Sequence, residues 1–373
     1  MKLVVPSEKR AGENRVALVP DLVGKLTALG LEIIIESGAG EKSGAPDSLY
    51  SAAGVTVTKD IDAALKDADI VATVRPLEPA QSKLLKKGAV TLSFLAPSAD
   101  GDAIRGLAAA GVTSLSFELV PRISRAQSMD ALTSQALCAG YRASLVSAEL
   151  LPKFFPMLMT AAGTVQPANV LVLGAGVAGL QAIATAKRLG ARVSAYDVRP
   201  ASADEVKSMG ATFIQLELEA LDGGGGYAKE MTEDRAARQR ELLTPHIAKA
   251  DVVITTAAVP GRKAPVLMTA EMVKAMKAGS VIVDLAAETG GNVEGSKPGE
   301  IVEVAVDGGV IRQWGGRDVP SQLPVHASRL YSANVHALLQ LFVKDGQGAP
   351  SIEDEIIDGC ALILNGEIRK EIA

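Results

Sequence analysis

The sequence predicts an α/β protein of two doubly wound parallel-sheet domains, joined by long helices with a cleft between them. Three observations predict this class. The 373 residues exceed what one ordinary core organises. Short apolar runs alternate with helical patterns in two separate stretches, the signature of strands with crossover helices. Apolar residues make up 48% of the chain but aromatic residues only 3%, so small and β-branched side chains dominate, as suits helices packed closely on parallel strands.

In the first stretch, strands are expected at 2–5, 32–36, 55–58, 69–74, 89–95 and 112–118. Helical patterns lie near 20–29, 46–53, 61–67, 79–86 and 102–110. Residues 130–155 carry Ala131, Leu132, Ala136, Leu137, Tyr141, Leu145 and Leu150 at helical intervals, with Pro152 and Pro156 as stops. This helix is expected to lead the chain out of the first domain. Strands then resume near 169–173, 192–196, 212–215, 251–255, 280–284, 301–304 and 309–313. A helix over 324–344 is read as crossing back, so that the domains comprise 1–132 with 320–373, and 133–319. Asn365-Gly366 between apolar flanks reads as the turn of a small hairpin.

Bulk properties narrow the function classes. The net charge of −5 is spread along the chain, with no basic face for nucleic acid. No run approaches the ~18 apolar residues of a membrane span, and Met1-Lys2-Leu3-Val4-Val5 starts directly on a strand pattern without a signal peptide. The chain is therefore expected to be soluble and not inserted in a membrane. Cys138 and Cys360 show no metal-ligand spacing, so reduced core thiols and no metal site are expected.

The chemistry-bearing motif is Val170-Leu-Val-Leu-Gly174-Ala-Gly176-Val-Ala-Gly179, at a strand-to-helix junction. Gly174 permits the tight turn, Gly176 lets backbone approach a pyrophosphate, and Gly179 lets the helix, whose N-terminus favours anions, pack closely on the strand. The next strand ends at Asp197, 23 positions after Gly174. A carboxylate there accepts from the ribose hydroxyls and repels a 2′-phosphate, which favours NAD(H) over NADP(H). Arg199 pulls the other way, since an arginine just past that strand can serve a 2′-phosphate; the strand-end position gives Asp197 the greater weight.

Two later strand ends, Thr255 to Ala258 and Asp284 to Gly291, are expected at the same sheet edge. The first is either a cofactor contact or a small-residue terminus. Asp284 and Glu288 are either site carboxylates or merely solvated loop residues. Asp222-Gly-Gly-Gly-Gly226-Tyr227-Ala-Lys-Glu-Met231 is either a lid closing on the cofactor or an ordinary surface loop.

The glycine motif, the Gly-Gly-Tyr227-Ala-Lys-Glu-Met loop and Pro121-Arg122-Ile123-Ser124-Arg125-Ala126-Gln127-Ser128-Met129-Asp130 resemble the proton-translocating NAD(P) transhydrogenases. The likeness is to their NAD(H)-binding alpha-subunit component, over essentially the whole chain. The opening Pro6, Glu8 and Gly12-Glu13-Asn14-Arg15-Val16-Ala17 is shared with alanine dehydrogenases. The resemblance implies that Arg122, Ile123, Ser124, Arg125, Gln127 and Asp130 hold the nicotinamide and face the partner domain that binds NADP(H), with Gln127 bridging toward the second nucleotide. Thr133 stands where the family often has serine and keeps the hydroxyl. Val177, Asp197, Val198, Arg199, Gly226, Gln239 and Ala258 fall at positions lining the NAD site, Ala258 where a leucine is usual, and Tyr227 at the tip of the mobile loop. The resemblance further implies a homodimer, NADP(H)-binding and membrane-spanning partner subunits, Si–Re-specific hydride transfer, and a peripheral place on the cytoplasmic face of the membrane.

Acid–base chemistry separates the two sister activities. Oxidising an amine requires a group that takes a proton. Alanine dehydrogenases supply Lys, His and Asp; the corresponding positions here are Arg75, Ala96 and Glu288. The three histidines, His246, His326 and His336, fall outside the first-domain strand ends. Hydride transfer between two nicotinamides exchanges no proton with the protein and rests on positioning. Arg15 and Arg75 then remain as structural residues. An alanine dehydrogenase-like oxidoreductase and a non-catalytic NAD(H)-binding module stand as the alternatives.

Overall fold

The computed structural model describes residues 1–218, 232–258 and 262–372. The chain divides into two compact units, Met1–Gln135 with Pro320–Ala373, and Ala136–Val319. The first opens with β1 (Lys2–Val5), α1 (Pro20–Thr27), β2 (Glu32–Glu36), α2 (Asp47–Ala52), β3 (Thr56–Thr58), α3 (Ile61–Asp67), β4 (Ile70–Ala72), α4 (Pro79–Ser82), β5 (Val90–Ser93), α5 (Gly101–Ala109) and β6 (Thr113–Ser116). Then α6 (Ala131–Leu150) begins in the first unit and ends in the second.

The second unit contains β7 (Leu158–Thr160), β8 (Gly163–Val165), β9 (Asn169–Leu173), α7 (Val177–Arg188), β10 (Arg192–Tyr196), α8 (Ser202–Ser208), β11 (Thr212–Phe213), α9 (Glu233–Lys249), β12 (Val252–Thr255), α10 (Ala270–Lys274), β13 (Val281–Asp284), β14 (Ile301–Val306) and β15 (Gly309–Gly315). The chain returns to the first unit with α11 (Pro324–Leu339), α12 (Glu355–Cys360), β16 (Ala361–Leu364) and β17 (Glu367–Ile368).

In the second unit the order β11-β10-β9-β12-β13-β15-β14 is parallel except for the antiparallel edge strand β14. Successive connections leave β9 toward β10 on one side and return to β12 on the other, which makes β9/β12 the switch point where such sheets bind ligands. Alternation explains the packing. Val170 and Val172 face Ala182 and Ile183 of α7, whereas Leu171 and Leu173 face Leu243 and Ile247 of α9. Strands covered on both faces read as the continuous apolar runs seen in β9, β12 and β13.

The first unit has the order β17-β16-β6-β5-β4-β1-β2-β3, parallel from β3 to β6 and antiparallel beyond. Leu3 and Val5 pack with Tyr331, Val335 and Leu338 of α11 on one face, and Val4 with Leu65 and Ile104 on the other. The Asn-Gly hairpin is present: Ile363 pairs with Ile368, and Asn365 and Gly366 take φ of 49° and 89°, as a type I′ turn requires.

Several boundaries differ from the sequence reading. The helix expected over 79–86 covers only Pro79–Ser82, and that over 324–344 stops at Leu339. α6 stops at Leu150, just before Pro152, rather than at 155. The hairpin of β7 and β8 had no counterpart among the expected strands, because its residues are exposed on both faces and leave no burial periodicity. The loop 222–231, with Gly226 and Tyr227, lies outside the described residues.

Candidate functional site

At the switch point of the second unit, β9 ends on Gly174, whose φ of +100° suits glycine. A Cβ there would lie 2.6 Å from Thr256 Oγ1, which donates to the Gly174 carbonyl at 2.9 Å. At Gly179 a Cβ would come within 1.9 Å of that same carbonyl. These two glycines are thus demanded by the fold itself. Gly176 is different: its φ is −75° and a Cβ there would meet nothing within 4 Å. It is the N-cap of α7 and makes no side-chain capping bond, so the first-turn N–H groups of a 12-residue helix face an open cradle. Val177 beside it is 38% exposed. The arrangement fits a pyrophosphate, which needs close backbone approach and positive potential.

Asp197, directly after β10, is tied into this turn. Its Oδ2 accepts from the Ala175 N–H at 2.7 Å and from Arg199 Nη2 at 3.0 Å; its Oδ1 accepts from Arg199 N and Nε, both at 2.9 Å. The two residues that the sequence set against each other are therefore an ion pair, and the guanidinium occupies oxygens that ribose hydroxyls would use. Val198 is half-buried between them, and Ala258 is exposed past β12. Gln239, placed by resemblance in the lining of the NAD site, is only 2% exposed and accepts from the Tyr196 hydroxyl at 3.0 Å beneath the sheet edge.

The neighbouring strand ends are held by side chains that the motif reading passed over. Asn292 accepts from the Ala257 N–H at 3.0 Å and donates to the Ala257 and Pro265 carbonyls, both at 2.8 Å. Asp284 is fully buried and accepts from Thr255 Oγ1 and from the Ala286, Asn292 and Val293 N–H groups; burial raises its pKa. It is a bracket for the loop after β13, not a solvated carboxylate. Glu288 is exposed and accepts from the Asp318 N–H at 2.9 Å.

The remaining predicted residues belong to the first unit, on the segment between β6 and α6. Ala126 and Met129 are buried and anchor a 3₁₀ turn over Ser124–Met129. Arg122, Ser124, Arg125 and Gln127 are exposed, and Ile123 is half-buried. Arg125 makes a two-pronged ion pair with Asp354, at 2.7 and 2.9 Å. Asp130 caps α6, accepting from Thr133 N at 2.9 Å and Thr133 Oγ1 at 2.6 Å. The Ser128 carbonyl accepts from Asn334 Nδ2 at 2.9 Å.

Arg15 and Arg75 are structural in this unit. Arg15, 3% exposed, grips both oxygens of the buried Glu13 at 2.7 and 2.6 Å, and Arg75 Nε joins at 3.0 Å. Burial works against the Glu13 carboxylate, but the Arg15 contacts overcome it and hold the pKa down at about 2. Glu8 accepts from the Val74 and Arg75 N–H groups at 2.5 and 3.2 Å, and burial pushes it up to about 7. Ala96 lies three residues past the end of β5 with a φ of 46° and its N–H on Glu118. His246 lies on α9, and His326 and His336 on α11.

Comparison with known proteins follows the same lines. The family described as alanine dehydrogenase/PNT, N-terminal domain, matches residues 4–139, and the C-terminal domain of that family matches residues 143–371. The chain is 46% identical over 378 aligned residues to an NAD(P) transhydrogenase subunit alpha polypeptide of Rhodospirillum rubrum, covering 99% of this chain and 97% of that one. It superposes on a transhydrogenase crystal structure from Sinorhizobium meliloti with a TM-score of 0.86 and 41% identity, over 99% and 98% of the two chains. Alanine dehydrogenase of Mycolicibacterium smegmatis is 33% identical, over 80% of this chain and 76% of its own length. The two family domains account for nearly the whole length, and the chain belongs to the alanine dehydrogenase/PNT family.

Proposed function

We propose that this chain is the NAD(H)-binding component of a proton-translocating transhydrogenase. The observation that carries this reading is the open cradle at Gly176, beside the uncapped start of α7 and with Asp197 at the adjoining strand end. NADH, when bound, supplies a hydride that passes to NADP⁺ on a partner domain. The residues of this chain bind and orient. Gly174, Gly176, Val177 and Gly179 take the pyrophosphate, while Asp197, Val198 and Arg199 take the adenosine ribose. Arg199 yields its carboxylate contacts to the ribose hydroxyls as they arrive. Ala258 flanks the cofactor from the end of β12, and Gln239 supports Tyr196 below it. Gly226 and Tyr227 close over it.

The segment Arg122 to Asp130, with Thr133, orients the nicotinamide and presents it to the partner through Gln127. Asp130 and Thr133 act by fixing the first turn of α6, where that segment ends. Ala96, standing where an alanine dehydrogenase is expected to carry histidine, agrees with this assignment. Proton translocation belongs to membrane-spanning partner subunits: among the described residues no helix is long and apolar enough to cross a membrane. The component works as a homodimer held at the cytoplasmic face through those partners.

Reconstitution with the NADP(H)-binding component tests the reading. NADH-dependent reduction of NADP⁺ is expected, with no NADH oxidation by pyruvate and ammonia. Turnover with pyruvate would replace it with amino-acid oxidation, and NADH binding without turnover in either assay would leave a binding module. Gln127→Asn is expected to slow transfer by about tenfold, close to the ~1.4 kcal/mol of one lost polar contact, with NADH affinity less affected.

A further inference from the structure

Ser128 follows Gln127 on the exposed turn, and its carbonyl is held from beneath by an unbroken line of donors. Arg15 Nη1 donates to Gln135 Oε1 at 2.8 Å, and Gln135 Nε2 donates to Ser134 Oγ at 3.1 Å. Ser134 Oγ donates to Asn334 Oδ1 at 2.8 Å, and Asn334 Nδ2 donates to the Ser128 carbonyl at 2.9 Å. The two ends impose a single direction on this line. A guanidinium can only donate and a carbonyl can only accept, so each amide between them has one permitted orientation. Reversing Asn334 would set its oxygen against the Ser128 oxygen and turn its amide nitrogen to Ser134 Oγ, whose proton would then pass to the Ala131 carbonyl at 3.1 Å.

The line begins in buried charge and ends at an exposed site. Arg15, Gln135 and Asn334 are all buried, and Arg15 is locked by Glu13. A positive charge at the head of a buried donor line polarises every bond that follows. Asn334 lies on α11, whereas Gln127 and Ser128 lie on the short turn before α6. Only Ala126 and Met129 of that turn are buried, and the Gln127 carbonyl is held by the Asp130 N–H at 3.3 Å, so the Ser128–Met129 peptide that follows is the one still to be fixed. The Asn334 bond fixes it.

We propose that Asn334 is a positioning residue for Gln127: with Arg15, Gln135 and Ser134 it fixes the orientation in which the 124–129 turn presents its polar side chains. This rests on the reading of that turn as the hydride-transfer face.

Asn334→Ala removes both bonds, while Asn334→Asp keeps the acceptor for Ser134 and loses the donor to Ser128. Ser134→Ala cuts the line one step earlier with less loss of volume. Each full-length variant is reconstituted with the NADP(H)-binding component, and hydride transfer is followed in a single turnover at saturating NADH. NADH affinity is titrated separately, and tryptic cleavage after Arg122 and Arg125 is timed on the isolated chain.

Both Asn334 variants are expected to slow transfer by about tenfold, roughly the worth of one buried polar contact. NADH affinity should change by less than about threefold, and cleavage should quicken as the turn opens locally while the melting temperature holds. Ser134→Ala should fall between these and the wild type. Asn334→Asp behaving as wild type, or losses of rate, affinity and melting temperature in parallel, would overturn the proposal. A wild-type chain without hydride transfer would sink the functional reading alone; the cleavage rates then decide this inference, and unchanged cleavage in Asn334→Ala rejects it.

Discussion

Gly174, Gly176 and Gly179 share one motif but answer to different constraints, and substitution separates them. Gly179→Ala drives a Cβ to 1.9 Å from the Gly174 carbonyl and is expected to destabilise the chain by about 3 kcal/mol. Gly176→Ala enters open space at an ordinary φ, so the melting temperature of the free protein should hold while NADH affinity falls. Equal losses of stability in the two would mean that Gly176 serves the fold and not a ligand. Glu8 offers a second test. Its pKa rises from 4.5 to about 7, so the folded chain holds a proton that the unfolded chain releases. The stability tied to that proton is full below pH 4.5 and is lost as pH rises through 7. Glu13, lowered to about 2, acts in the opposite sense and only at acid pH. Between pH 5 and 7.5, unfolding free energy should therefore fall relative to Glu8→Gln, by on the order of 2 kcal/mol after allowing for partial exposure. Parallel pH profiles for the two proteins would refute the assignment.

At the scale of elements, legibility followed burial. β9, β12 and β13 are covered on both faces, and their unbroken apolar runs could be read directly. The hairpin of β7 and β8 could not be read, since Met159 is 76% exposed and Leu158 37%, with Met157 52% exposed just before them. An exposed apolar hairpin is costly on an isolated chain and supports the homodimer proposal. Met159→Asp with Leu158→Asp is expected to shift sedimentation toward the monomer without lowering NADH affinity; an unchanged mass would exclude the hairpin from the dimer contact. α7 is another case of close packing, because Gly140 of α6 brings a Cβ position to 2.0 Å from the Ala178 carbonyl. Nothing in the helical periodicity of α6 marks that glycine as a contact.

For the whole molecule, ligand linkage gives a test of cofactor choice that needs no partner. A ligand that binds only the folded chain stabilises it by about 2.7 kcal/mol at a hundredfold excess over Kd. NADH is expected to raise the melting temperature accordingly, and NADPH at equal concentration to raise it far less. Asp197→Ala should narrow that gap from both sides: it removes the ribose acceptor, and it releases the Arg199 Nε and Nη2 contacts so that the guanidinium can meet a 2′-phosphate. A gap unchanged by the substitution would show that the Asp197–Arg199 pair does not set the preference.

The sequence by itself determined the α/β class, most strand positions, the glycine turn and Asp197, because each rests on local chemistry: periodicity of burial, a positive φ, or spacing along a strand–helix–strand unit. It also carried the family, through motifs that are continuous in the chain. Tertiary structure decided what the polar residues do with one another. Asp197 and Arg199 read as rivals until geometry paired them, and Asp284 stood open between site carboxylate and solvated loop residue until the loop after β13 closed over it. Arg15, Gln135 and Asn334 are 120 and 199 positions apart along the chain, yet they form one donor line. No local pattern encodes such a line. It exists because folding strips water from these groups and each must then find its partner among whatever the fold has brought near.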